Sequence, residues 1–136
     1  MVGWALDNHM RADLCVEAFN MAKSLRNPPA GLVHHSDRGV QYACDQYSAL
    51  MEQNQVVRSM SRKANCWDNA VAESFFGTLE QELVKGNTWP SLSTAKRDVA
   101  DYIHNFYNSA RLHSANAYRS PADMESRHHM DREEAA

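Results

Sequence analysis

The stretch GLVHHSDRGVQY, residues 31–42, decides how this chain folds. Leu32 to His35 reads as a short strand ending at Asp37, and Gly39 permits a turn directly after it. Strand ends are rigid while the loop beyond them stays open, which suits an aspartate there to hold a ligand. An aspartate before a glycine also closes Asx-turns by bonding its own backbone. Residue 37 alone therefore leaves a functional and a structural reading open.

Working outward, Ala12, Cys15, Val16, Phe19 and Ala22 recur at helical spacing and predict an amphipathic helix over Arg11–Leu25. Asn27-Pro28-Pro29-Ala30-Gly31 stops it. Before it, the short apolar run Val2–Leu6 is expected as a strand. Downstream, a helix is expected to open with Asp45 as N-cap and to turn Tyr47, Leu50 and Met51 inward. Val56 and Val57 predict a further strand, followed by a polar loop from Ser59 to Trp67. Asp68 is expected to cap the next helix, where Val71, Phe75, Leu79 and Leu83 form an apolar row. A last helix near Ser93–Asn108 is expected to bury Ala95, Val99, Tyr102, Ile103 and Phe106. Beyond Pro121 the chain turns charged and is expected to fray. Strands alternating with helices make the class α/β.

The second carboxylate of interest is Glu73, with thirty-five residues between it and Asp37. It stands about 200° around the helix from the Val71 row at 3.6 residues per turn, on a face shared with Asn69, Gly77 and Glu80. Two carboxylates brought together by a fold hold hard cations such as Mg²⁺ well, because these prefer oxygen ligands. Taken singly, Glu73 reads more often as a solvated helix residue, and the small residues Ala70, Ala72 and Gly77 around it, with Asn69 one turn before, favour the functional reading. Arg58, Arg62 and Lys63 surround a loop with Ser59, Ser61, Asn65 and Trp67. Such a loop suits phosphate contact and base stacking, and its bland counterpart is a solvated basic loop.

Charge does not decide between these readings. The formal net charge is -3, and residues 123–136 account for it, so residues 1–122 are neutral. A neutral body binds nucleic acid only through a local basic cluster. No stretch approaches the roughly 18–20 apolar residues of a membrane span, and the opening residues lack a signal-peptide pattern. Cys15, Cys44 and Cys66 are odd in number without a CxxC pair, as expected of reduced thiols in a cytoplasmic protein.

Together the segments VGWAL, GLVHHSDRGVQY, SMSRKANCWDNAVAESFFGTLEQEL and YIHNFYNSARLHSANAYRSP resemble the integrase-core transposases of bacterial insertion sequences, specifically the insertion-sequence-three family. The resemblance runs to Met124 and implies a ribonuclease-H-like integrase core lacking its first two strands. It implies a DDE site in which Asp37 and Glu73 are catalytic and hold Mg²⁺ or Mn²⁺. The first aspartate would fall in a segment preceding Met1, and neither Asp7 nor Asp13 takes that position. Strand transfer by two-metal phosphoryl chemistry is the implied reaction. Its partners would be DNA, as element ends and target, with a second copy or a full-length transposase as a further partner and no membrane.

The resemblance further implies that Arg62, Lys63 and Trp67, beside Arg58, guide DNA toward the site. Arg111 and His113 lie in its YN-x-x-R-x-H segment and serve DNA contact or packing. Asn116-Ala117 stands where the family has leucine-glycine. The domain expected is 1–122, with 123–136 as a disordered tail. In the family's strand order 3-2-1-4-5, this chain would start at the third strand. Val2–Leu6 would then pair directly with Leu32–His35, or the fold would need a partner segment. Two functions stay open: a catalytic-domain fragment inactive by itself, or a catalytically dead remnant that binds DNA or the full transposase. A general metal-dependent nuclease is a weaker third.

Overall fold

The computed structural model describes residues 1–62 and 69–134, side chains at 132 and 133 excepted. Helix accounts for 60% of it, beside one small parallel sheet, in keeping with an α/β class. Two units are distinct: Val2–Asn87, and the residues from Thr88 onward together with Met1.

The first unit is built around a parallel pair. β1 (Val33–Ser36) and β2 (Val57–Met60) align Val33 with Val57 and Ser36 with Met60. Parallel strands need a crossover of a dozen residues or more, and residues 37–56 supply it as two helices, α2 (Val40–Ala43) and α3 (Asp45–Gln53). α1 (Ala12–Arg26) packs on both. The core they enclose is Phe19, Tyr47 and Met51, with Cys15, Val16, Tyr42, Cys44, Leu50 and Val56 against it. Each large apolar side chain buried there contributes about 1.5–3 kcal/mol. His34 turns inward from β1, edge-on to Phe19 at 6.1 Å and bonded through Nε2 to the Tyr47 hydroxyl at 3.2 Å. Cys15 and Cys44 are free thiols, and Cys66 lies outside the described residues.

Helix boundaries largely follow the hydrophobic period. α1 matches the expected helix to within a residue at each end. Asp45 is the first residue of α3 rather than its cap, a position taken by Cys44, though its charge still favours the helix start. α4 (Ala70–Leu79) continues into a π-helical turn, Glu80–Val84. The expected apolar row on it is only partly buried: Phe75 is inside, whereas Val71 is 89% exposed. The proposed cap Asp68 lies outside the described residues, and Asn69 holds the position before α4.

The N-terminal expectation needs correction. Val2–Leu6 forms no strand, and among the described residues β1 has β2 as its single ladder partner. The segment packs on α1 instead. A Cβ on Gly3 would overlap the Ala18 carbonyl oxygen and stand 2.7 Å from the Ala22 Cβ. The small residues Ala18 and Ala22, one turn apart, open a shallow groove that admits this backbone only without a side chain. Burial against a helix groove replaced burial at a sheet edge.

In the second unit, α5 (Leu92–Asp101) opens with a reciprocal capping box between Ser91 and Thr94. It runs into π-helical Tyr102–Tyr107 and buries Val99, Tyr102 and Ile103, while Phe106 stays 44% exposed. Residues 123–134 of the segment expected to be a disordered tail are helical, within α6 (Pro121–Glu134). Its start explains why. Buried Ser120 accepts from the Asp123 amide at 3.2 Å, Pro121 takes the first helical position and Asp123 adds charge to the first turn. Proline 121 begins a helix here.

Candidate functional site

Asp37 follows β1 directly, and its side chain closes an Asx-turn: Oδ1 accepts from the Gly39 amide at 2.8 Å. This is the structural role open to it from sequence, and it does not consume the carboxylate, whose side chain is exposed. Gly39 is extended at φ -56°, so glycine is not required by backbone conformation. What a side chain there would change is the site, since a Cβ would stand 2.8 Å from Asp37 Oδ1 and displace that carboxylate. Behind this turn lie Tyr42 and Cys15. Burial pushes the Tyr42 hydroxyl far above its usual range, aided by its hydrogen bond to Cys15 and, to a lesser degree, by the Asp37 charge.

Glu73 lies in the first turn of α4, exposed, with Gly77 and Glu80 exposed on the same face. What connects its helix to Asp37 is a residue that sequence reading placed merely in a polar loop. Ser61, 4% exposed, donates its amide to Ser36 O at 2.9 Å and its hydroxyl to Asn69 Oδ1 at 2.8 Å. The Arg38 side chain donates through Nε to the Ser61 carbonyl at 2.8 Å. The end of β1, the end of β2 and the start of α4 thus meet at one buried hydroxyl. Asp37 is one residue from Ser36, and Glu73 is one turn from Asn69. A serine between Met60 and Arg62 gives no sequence pattern, so nothing in the chain's periodicity could have marked it.

Asp37 and Glu73 each carry an exposed carboxylate, a hard oxygen donor of the kind a divalent cation of the Mg²⁺ or Mn²⁺ class prefers. Among the described residues, no group of three or more His, Cys, Asp or Glu could hold a metal ion.

The expected DNA contacts fare differently. Arg58 is spent on the protein, donating to Tyr42 O and Ser48 Oγ at 2.6 Å each, and it thereby braces α2 and α3 from β2. Arg62 is exposed beside the Ser61 junction. Lys63 and Trp67 lie outside the described residues. Arg111 and His113 belong to the second unit, where they form a cluster with Tyr107. The His113 ring meets Tyr107 edge-on at 4.8 Å, and the Arg111 guanidinium lies 5.8 Å from the same ring. His113 Nε2 is buried without a hydrogen-bond partner among the described residues. Around this cluster, His113 pairs with Arg119, and the turn between them carries Ala117 at φ 53° and Tyr118 at φ 55°. Ala117 thus holds a left-handed conformation where the family resemblance has glycine.

No helix among the described residues is long and apolar enough to cross a membrane. Two families described as "Integrase core domain" match, one over residues 1–66 and one over residues 54–121. An uncharacterized 31 kDa protein of insertion element IS600 from Shigella sonnei is 41% identical over 96% of this chain and 48% of its own length. The transposase for insertion sequence element IS904 from Lactococcus lactis is 37% identical over 92% of this chain and 49% of its own. Transposase InsF for insertion sequence IS3A from Escherichia coli is 35% identical over 93% of this chain and 44% of its own. The chain spans about half the length of the curated relatives it matches. With matches running from residue 1 to residue 121, it belongs to the integrase core domain family.

Proposed function

We propose that this chain is the part of a transposase catalytic core that contributes Asp37 and Glu73 to a divalent-metal site for DNA strand transfer. The observation that supports this most is the junction at Ser61, which joins the strand end before Asp37 to the helix start before Glu73. Mg²⁺ or Mn²⁺, when bound, would supply activation of the attacking oxygen and stabilisation of the leaving one. The chain's own residues bind and orient. Asp37 offers a carboxylate fixed by the Gly39 amide, and Glu73 offers one on a helix anchored through Asn69. Arg62 at this junction, and Lys63 and Trp67 further along the sequence, are candidate contacts to element-end and target DNA, acting in the bacterial cytoplasm. Arg111 and His113 are candidates for DNA contact from the second unit. A full-length transposase or a second copy is the proposed protein partner.

By itself the chain is expected to perform no strand transfer, because two carboxylates do not hold two ions in the geometry the reaction needs. The test has two parts. Titrating ¹⁵N-labelled protein with Mn²⁺ should broaden the Asp37 and Glu73 amides together, and Asp37→Asn should abolish both effects. Labelled element ends incubated with the protein and Mg²⁺ or Mn²⁺ should remain uncut. Broadening of neither amide would overturn the site, and specific cleavage lost in Asp37→Ala would overturn the inactivity. A remnant that only binds DNA would shift labelled ends without responding to Mn²⁺.

A further inference from the structure

We propose that Ser61 and Asn69 are positioning residues that set Glu73 against Asp37, an inference that rests on the carboxylate-pair reading above. The Ser61 hydroxyl has one proton and three neighbours: Asn69 Oδ1 at 2.8 Å, Ser36 O at 3.2 Å and His35 Nε2 at 3.2 Å. When the proton goes to Asn69, the nearest acceptor, His35 must donate to Ser61 through Nε2 and accept at Nδ1. Ser59 Oγ lies 2.8 Å from that Nδ1 and supplies the donor. The result is a directed chain, Ser59 to His35 to Ser61 to Asn69, running from the β1–β2 ladder to the start of α4.

Asn69 carries the second half of the inference. An asparagine before a helix ordinarily turns its side-chain oxygen back to cap the first-turn amides. Here it makes no such cap, and its oxygen is given to Ser61 across the segment 62–68. The helix start is therefore bonded to the strand end instead of to itself. Asn69 and Glu73 are four residues apart and share a face. Asp37 adjoins Ser36, whose carbonyl takes the Ser61 amide. The two carboxylates hang from opposite ends of one hydrogen-bonded unit, and its central hydroxyl fixes their separation. Removing that hydroxyl leaves the backbone ladder bond from Ser61 to Ser36 intact, so the strands stay paired while α4 is released.

Amide exchange in the whole chain reads this directly. In Ser61→Ala and Asn69→Leu, exchange at residues 74–77 should accelerate about tenfold, the equivalent of one lost hydrogen bond. The Val57 and Ser61 amides, which bond Leu32 O and Ser36 O, should be unchanged. Ser61→Thr and Asn69→Asp keep the donor and the acceptor and should restore the original rates. In the Mn²⁺ titration, Ser61→Ala should retain a weakened effect at Asp37 and lose it at Glu73. If exchange at 74–77 stays within about twofold of the parent, or if the conservative variants restore nothing, the proposal is overturned. If Mn²⁺ broadens both amides of Ser61→Ala as in the parent, only the positioning role falls. If Mn²⁺ affects neither amide of the parent, the carboxylate-pair reading falls and takes the positioning role with it.

Discussion

Gly39→Ala separates backbone strain from site geometry. Its φ of -56° and ψ of 143° are open to any L-residue, so the backbone has no reason to resist. The new methyl would stand 2.8 Å from Asp37 Oδ1 and 3.1 Å from Gln41 Oε1, where ordinary contact begins at 3.4 Å. The Asp37 carboxylate must therefore retreat by about 0.6 Å, from 2.8 to 3.4 Å. That retreat stretches its bond to the residue 39 amide, and losing such a bond costs about 0.5–1.5 kcal/mol. Alanine in place of glycine returns about 0.4–1 kcal/mol by restricting the unfolded chain. The two nearly cancel. Urea unfolding should show a stability within about 1 kcal/mol of the parent. The site should feel the change strongly, since ligand groups work within about 0.5 Å of their productive geometry. The Mn²⁺ concentration needed to broaden the Asp37 amide should rise on the order of tenfold. A stability loss above about 2 kcal/mol would show that glycine serves the backbone, and would refute the reasoning. So would an unaltered Mn²⁺ response in a protein of unaltered stability.

Three further outcomes are expected. Ala117→Gly relieves a left-handed alanine worth about 1–2 kcal/mol, less the chain entropy of glycine, so its thermal midpoint should rise; a fall would show that φ 53° carries no strain. Met51→Ala empties a fully buried position against Tyr47 and Phe19 and should cost about 2–5 kcal/mol in urea unfolding, a loss below about 1 kcal/mol contradicting the core assignment. Burial holds the His34 imidazole below its ordinary value, so the unfolded chain takes up its proton first as pH falls. Stability linked to His34 is complete above about 6.5 and is lost toward the lower folded value. The urea midpoint should drop across that window, and His34→Gln should flatten the slope.

Much of the fold could be read from residues whose spacing leaves few alternatives. Cys15, Val16, Phe19 and Ala22 fix α1 because a helical stripe has no strand equivalent, and Tyr47 and Met51 fix the buried face of α3 likewise. Asp37 and Glu73 were legible as positions, a strand end and a first helical turn, from turn chemistry and helical phase. The five residues from Val2 to Leu6 were not, because so short an apolar run has no period to tell a strand from a segment lying in a helix groove. At Pro121 the signal was present but ambiguous. Proline stops one helix and opens another, and Ser120 and Asp123 were the residues that resolved it. The Ser61–Asn69 bond was beyond reach, because a hydrogen bond between side chains eight residues apart leaves no trace in hydrophobic pattern. Arg58 has the composition of a phosphate contact, but its bonds to Tyr42 and Ser48 exist only once α2 and α3 are in place.

The fit of Gly3 on α1 has a consequence for how these sequences diverge. The backbone at residue 3 sits so close to the Ala18 carbonyl and the Ala22 Cβ that neither residue 3 nor residue 22 can enlarge alone. A methyl gained at residue 3, or a larger side chain at 22, would lift the N-terminal segment away from the helix. Substitutions at these positions should therefore be inherited together. Among related elements, residues 3 and 22 should covary, with glycine at 3 wherever the alanine at 22 persists in this packing. A side chain at residue 3 should appear only in lineages whose N-terminal segment has found another resting place.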